Sequence, residues 1–106
     1  MKKIFWQGSS YNDLVAFSCD ARREAGYQLH KIQLGEEPND WKPMSTIGVG
    51  VREIRIKDMS GAFRVIYVAN IDKNIYVLHA FQKKAQKTPQ QDIRLAQDRF
   101  KAIKRT

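Results

Sequence analysis

Cysteine is almost missing from this chain: Cys19 stands alone, so an internal disulfide is excluded and a reducing cytoplasm fits. We expect Cys19 to be a buried structural thiol in a helical hairpin rather than a nucleophile. Histidine is nearly as sparse. His30 and His79 have no neighbouring Cys or His partner, so there is no metal-ligand cluster. Glycine-rich phosphate loops are absent, and nothing in the spacing calls for a cofactor. No run approaches the roughly 18 apolar residues of a membrane span. The start, MKKIFWQGSS, has two lysines but no apolar stretch behind them to make a signal peptide. A cytoplasmic protein without a membrane partner is the expectation.

What remains is charge. At 106 residues the chain reads as one domain, 1–106. Such a domain buries roughly 60–65% of its unfolded surface, enough for a sheet with helices but not for a deep substrate cavity as well. An apolar fraction of 42% argues against global disorder. The net charge of +8 is unevenly placed. Residues 1–51 hold six cations and six acids, whereas residues 52–106 hold thirteen cations and five acids. That asymmetry favours a polyanionic partner, whether nucleic acid, an acidic membrane surface or an acidic protein, over a merely solvated basic face.

The pattern along the chain is α+β. Ile4-Phe5-Trp6 suits an edge strand, ended by Gly8-Ser9-Ser10. Ser9 or Ser10 caps a first helix to about Phe17, and Ser18 or Asp20 caps a second to about Leu34. In the second, Ala21, Ala25, Leu29 and Ile32 recur at helical spacing, and Gly35 supplies the stop. Residues 35–48 read as loop, with Trp41 and Met44 plugging it into the core. Val49–Lys57, Phe63–Asn70 and Ile75–Phe81 read as strands of an antiparallel meander, turning at Asp58–Gly61 and Ile71–Asn74. Near-continuous apolar character in the last two suggests cover on both faces. Thr88-Pro89-Gln90-Gln91 resembles a capping box with proline at the first helical position. Ile93, Ala96, Phe100 and Ile103 then form one apolar stripe, leaving Arg94, Asp98, Lys101 and Arg105 to solvent.

In the first long strand Ile54 and Ile56 point one way, and Glu53, Arg55 and Lys57 the other. Arg64, entering the next strand, comes close across the hairpin. It is the cation least able to be a plain surface charge, because a charge inside FRVIYV is costly without a partner. Lys83 follows the third strand, with Lys84 or Lys87 beside it. One concave cluster can thus gather Arg55, Lys57, Arg64 and Lys83. A sheet edge delivering cations to one spot suits a phosphate chain and points to RNA-directed chemistry. The 2′-hydroxyl attacks its own phosphate if its proton is removed and the added charge is steadied. Crowded lysines lower one another's pKa and so can act as base, while arginines hold the phosphorane. His79 is an acid or base, or a half-buried histidine bonded to backbone.

The segments GVREIRIKDMSGAFRVIYVA, IYVLHAFQKKAQKTPQQDI and GYQLHKIQLGEEPNDWKPM resemble the phage-derived Gp49-like, HigB-type toxins of the RelE/ParE toxin–antitoxin superfamily. The likeness covers nearly the whole chain, and LHAFQKKAQKTP is its most specific string. It implies a RelE/ParE-like α+β fold, with an N-terminal helical hairpin on a small antiparallel sheet and a C-terminal helix. It also implies a cognate antitoxin, often of helix-turn-helix type, and ribosome-dependent cleavage of mRNA. On this resemblance Arg64 matches the phosphate-binding arginine and Arg55 one of the paired strand lysines. Glu53 stands where the other cation belongs, and Lys83 falls near the arginine after the last strand. The tyrosine some relatives carry in the final helix is missing, since Gln91 and Ile93 occupy that region. His79 or Lys84 is then the substitute. Three outcomes stay open: a ribosome-dependent mRNA endonuclease, a ParE-type DNA gyrase inhibitor, and a non-catalytic module that binds antitoxin and nucleic acid.

Overall fold

The computed structural model describes residues 1–103, so Arg105 lies outside the described residues. Eight elements follow in order: β1 (Ile4–Trp6), α1 (Ser10–Val15), α2 (Cys19–Gln33), β2 (Trp41–Pro43), β3 (Val51–Asp58), β4 (Gly61–Ile71), β5 (Asn74–Lys83) and α3 (Gln90–Lys101). The strands form one sheet in the order β1-β5-β4-β3-β2. The class is α+β, as expected, but the sheet is mixed rather than purely antiparallel. β1 runs parallel to β5, with Ile4 opposite Ile75 and Trp6 opposite Val77. β2 is a strand, not loop, and places Lys42 opposite Glu53. Its Pro43 is tolerated because β2 is an edge strand, where a missing N–H need not break a ladder.

Local chemistry explains the helix ends. Ser18 accepts a hydrogen bond from the Ala21 N–H and caps α2. Its hydroxyl also donates to Asp58, tying the helix to the β3–β4 turn. At the other end Gly35 adopts φ +86°, and the N–H groups of Gly35 and Glu36 return to the carbonyls of Ile32 and Lys31. That is a Schellman stop, which glycine satisfies without a Cβ penalty. Ser9 sits at the α1 cap, but its hydroxyl donates to the Asp13 carboxylate at 2.7 Å instead of serving the backbone. Cys19, expected to be buried, is exposed at the first position of α2. The buried stripe of that helix runs through Ala21, Ala25, Leu29 and Ile32, and Cys19 lies off it.

The sheet separates two cores. On one side α1 and α2 pack Leu14, Phe17, Ala21, Ala25 and Leu29 onto Ile54, Ile56, Val65, Tyr67 and Val77. On the other, α3 and the 44–48 loop set Met44, Ile47, Ala96 and Ile103 on Val51, Ile66, Val68 and Leu78. Met44 plugs the core as expected, while Trp41 is half-buried with the Arg52 guanidinium 3.9 Å above its ring. Gly48 allows the close approach of α3, because a Cβ there would meet the Phe100 ring at 2.3 Å. The α3 layer covers only the end of the sheet holding Val51, Ile66 and Leu78. The end where β3 and β4 meet their turn stays open.

Candidate phosphate-binding site

Three cross-strand rows lead from the layer covered by α3 to the open end. Reading across β3, β4 and β5 they are Lys57–Ala62–Lys83, Arg55–Arg64–Phe81 and Glu53–Ile66–His79. Neighbours within a row have Cβ atoms about 5 Å apart, and successive rows lie about 7 Å apart along a strand. Glu53, Arg55 and Lys57 alternate onto the face opposite Ile54 and Ile56, as the sequence predicts.

Arg64 sits at the centre and is only 7% exposed. Its Nε lies 3.5 Å from Glu53 Oε1, an ion pair without hydrogen-bond geometry, and its Nη1 donates to the Phe63 carbonyl at 2.9 Å. Glu53 is fully buried, and its Oε2 accepts a 2.7 Å hydrogen bond from the Thr88 hydroxyl. Thr88 therefore does not cap α3. Pro89 takes the cap position with no side-chain bond, and the threonine hydroxyl is spent on the carboxylate below it. The Glu53 that stands in place of a second cation thus holds Arg64 instead of interrupting the cluster.

The electrostatics follow from that packing. Burial pulls the Arg64 guanidinium below its ordinary value; Glu53 and Asp40 oppose the shift, and Arg55 adds to it. Lys83 is also lowered, first by desolvation and then by Arg64, with Lys42 and Arg55 adding and Glu53 opposing. Arg55, Arg64 and Lys83 are therefore brought together, as the alternation suggests. Lys57 lies at the far end of its row, beyond Ala62. Lys84 and Lys87 are exposed on the segment between β5 and α3. His79 is not at the cation cluster. It is 6% exposed, its Nε2 is 2.7 Å from Asp92 Oδ1 on the first turn of α3, and its ring stacks on Phe81.

Lys42, Thr88 and Asp92 escape a reading of the sequence alone. Lys42 carries one usable signal: Trp41-Lys42-Pro43 alternates like a short edge strand, though the prolines and turn residues on either side read as loop. For Thr88 and Asp92 no local signal exists, since each meets its partner from a different strand.

A cluster of cations around an arginine paired with a buried carboxylate marks this end of the α+β sheet. Residues 12–101 match the family of phage-derived proteins described as Gp49-like, and the chain belongs to that family. The family is known in toxin–antitoxin contexts, so a pairing with an antitoxin is implied in general terms. No curated protein matches the chain at a significant level. Among the described residues no helix is long and apolar enough to cross a membrane.

Proposed function

We propose that the chain is the toxin of a type II toxin–antitoxin module, a HigB-type member of the RelE/ParE superfamily that cleaves mRNA on the ribosome. The observation that carries this reading is the gathering of Lys83, Arg64 and Arg55 on one sheet face, where desolvation and the neighbouring cations lower Lys83. A poison acting only through protein contacts has no use for such a gathering of cations around one lysine.

The chemistry needs no metal. Lys83, in the fraction that has lost its own proton, takes the proton of a 2′-hydroxyl, whose oxygen bonds to the adjacent phosphorus while the bond to the 5′-oxygen breaks. Arg64 and Arg55 carry the extra phosphorane charge. Lys42, across Glu53, returns a proton to the leaving 5′-oxygen. The products are a 2′,3′-cyclic phosphate and a 5′-hydroxyl. Lys57, Lys84 and Lys87 steer the flanking phosphates, a long-range attraction that weakens with salt. His79 supports the site by fixing Phe81 and α3.

Induced expression followed by transcript-end mapping, with a gyrase supercoiling assay alongside, tests the reading. Cleavage inside translated codons, lost in Arg64→Lys with antitoxin binding intact, is the expected result. Intact transcripts with inhibited supercoiling would transfer the protein to the gyrase-poison class. Neither effect, with antitoxin still bound, would leave a non-catalytic binding module.

A further inference from the structure

The row that holds Arg64 also holds Phe81, its direct partner on β5. The Phe81 ring lies on the His79 imidazole with centroids 4.9 Å apart and planes 18° from parallel. His79 cannot turn away, since it is buried and held by Asp92 at 2.7 Å. Phe81 is thus a braced aromatic surface, half-buried, one strand from the phosphate ligands.

The outer edge of β5 is open at this point. β1 pairs with β5 only over Ile75, Tyr76 and Val77. Beyond Val77 a cavity of about 540 Å³ opens along the edge, lined by Phe17, Phe63 and Phe81 with Ser18, Ser60 and Gln82. His79 and Asp13 line it as well, and no lysine or arginine does. With three phenylalanines and no lysine or arginine in its wall, such a cavity suits a flat, uncharged group better than a phosphate. The phosphate ligands stop at Arg64 and the apolar wall begins at Phe81, in one cross-strand row. That is the layout of single-stranded RNA recognition, where the backbone follows cations and the bases stack on aromatic rings.

We propose that Phe81 is the stacking platform for one nucleobase of the RNA, the base adjoining the phosphate on Arg64, which enters the cavity at the β5 edge. The inference rests on the RNA-cleaving reading above and adds to it the residue that places the nucleotide.

The test uses ribosomes programmed with an mRNA whose A-site codon carries 2-aminopurine at one position at a time. A 2′-deoxy sugar at the scissile nucleotide blocks cutting. Wild-type toxin and Phe81→Tyr should quench the 2-aminopurine at one position only. Phe81→Leu should lose the quench and bind roughly ten- to a hundredfold more weakly, the loss typical of one stacked base. With an abasic sugar at that position, wild type and Phe81→Leu should bind alike. Phe81→Leu that quenches like wild type, or that keeps its full binding loss on abasic RNA, overturns the proposal. So does a loss confined to antitoxin binding, which would make the open edge a protein-docking strand. Phe81→Leu folding is checked by thermal melting, and Phe81→Tyr reports on the platform if leucine unfolds the protein. Failure of the underlying reading looks different: unmodified mRNA then stays intact with wild-type toxin. If mRNA is cut and Arg64→Lys abolishes cutting while Phe81→Leu changes nothing, only the platform falls.

Discussion

Glu53 and Arg64 meet diagonally across β3 and β4 with both charges withdrawn from water, Oε1 and Nε standing 3.5 Å apart. A pair in this position is costly to halve, because the survivor keeps its burial and loses its compensation. Glu53→Ala should lower unfolding stability by about 3–5 kcal/mol. Glu53→Gln should cost less, since an amide oxygen still accepts the Thr88 hydroxyl. The double replacement Glu53→Leu with Arg64→Met should recover much of the loss. Urea unfolding of the three variants checks the order.

Thr88 links the lysine-bearing segment to the sheet through one hydrogen bond of 2.7 Å. Thr88→Val keeps the shape and removes the donor, leaving a buried carboxylate oxygen unpaired. A loss of about 1–3 kcal/mol is expected. Hydrogen exchange should quicken in residues 84–92 more than in β3 or α2, which would place the effect in the tether rather than in the fold at large.

Lys83 carries the pH dependence. Its folded pKa lies below the ordinary lysine value of 10.5, so the folded state holds the charged form less well than the unfolded chain does. The resulting penalty is present in full below the lowered folded value and disappears above 10.5, so this group makes stability rise with pH across that window. Lys83→Met should therefore be neutral or stabilising by about a few tenths of a kcal/mol at pH 7, in line with other partly exposed charges. Its cleavage rate should nevertheless collapse. In the wild type, rate should climb with pH to an inflection below 10.5, and Lys83→Arg should remove that inflection.

The β4–β5 turn offers a control far from the site. Asp72 and Lys73 both sit at positive φ, 51° and 61°, the geometry of a two-residue type I′ hairpin that favours glycine at its second position. Lys73→Gly should raise stability by about 0.5–1 kcal/mol, the relief of one left-handed non-glycine residue less the chain entropy that glycine loses on folding, and leave activity unchanged. A thermal melt beside a cleavage assay checks both halves.

These residues also show how far the sequence could be read. Periodicity assigns faces, so the placement of Arg55 and Lys57 opposite Ile54, and the Ile93–Ile103 stripe of α3, were legible in the residue pattern itself. Capping chemistry did the same for Ser18 and Gly35. Partners were not legible. β1 finds β5 across some seventy residues with only three residue pairs, and nothing within Ile4-Phe5-Trp6 announces a parallel neighbour. Lys42 belongs to the cluster because a strand of three residues pairs with β3, in a stretch whose prolines and glycines read as loop. Thr88 carries a capping signature and uses its hydroxyl elsewhere, since a buried carboxylate competes better for it than a solvated helix end. Glu53 looks like a defect in a cationic pattern. Only its distance from Arg64 turns it into a support.

The most direct measurement is cleavage of a programmed mRNA on purified ribosomes, with product ends determined, for wild type, Arg64→Lys and Arg55→Ala. Arg64→Lys keeps a cation beside Glu53 but loses the planar guanidinium fork. Wild type should cut within the A-site codon and leave a 2′,3′-cyclic phosphate and a 5′-hydroxyl. Arg64→Lys should be slower by about a hundredfold or more, the loss typical of removing one donor to a transition-state oxyanion. Intact mRNA with the wild-type protein, or equal rates in wild type and Arg64→Lys, would contradict the assignment of Arg64 as the phosphate ligand of an RNA-cutting toxin.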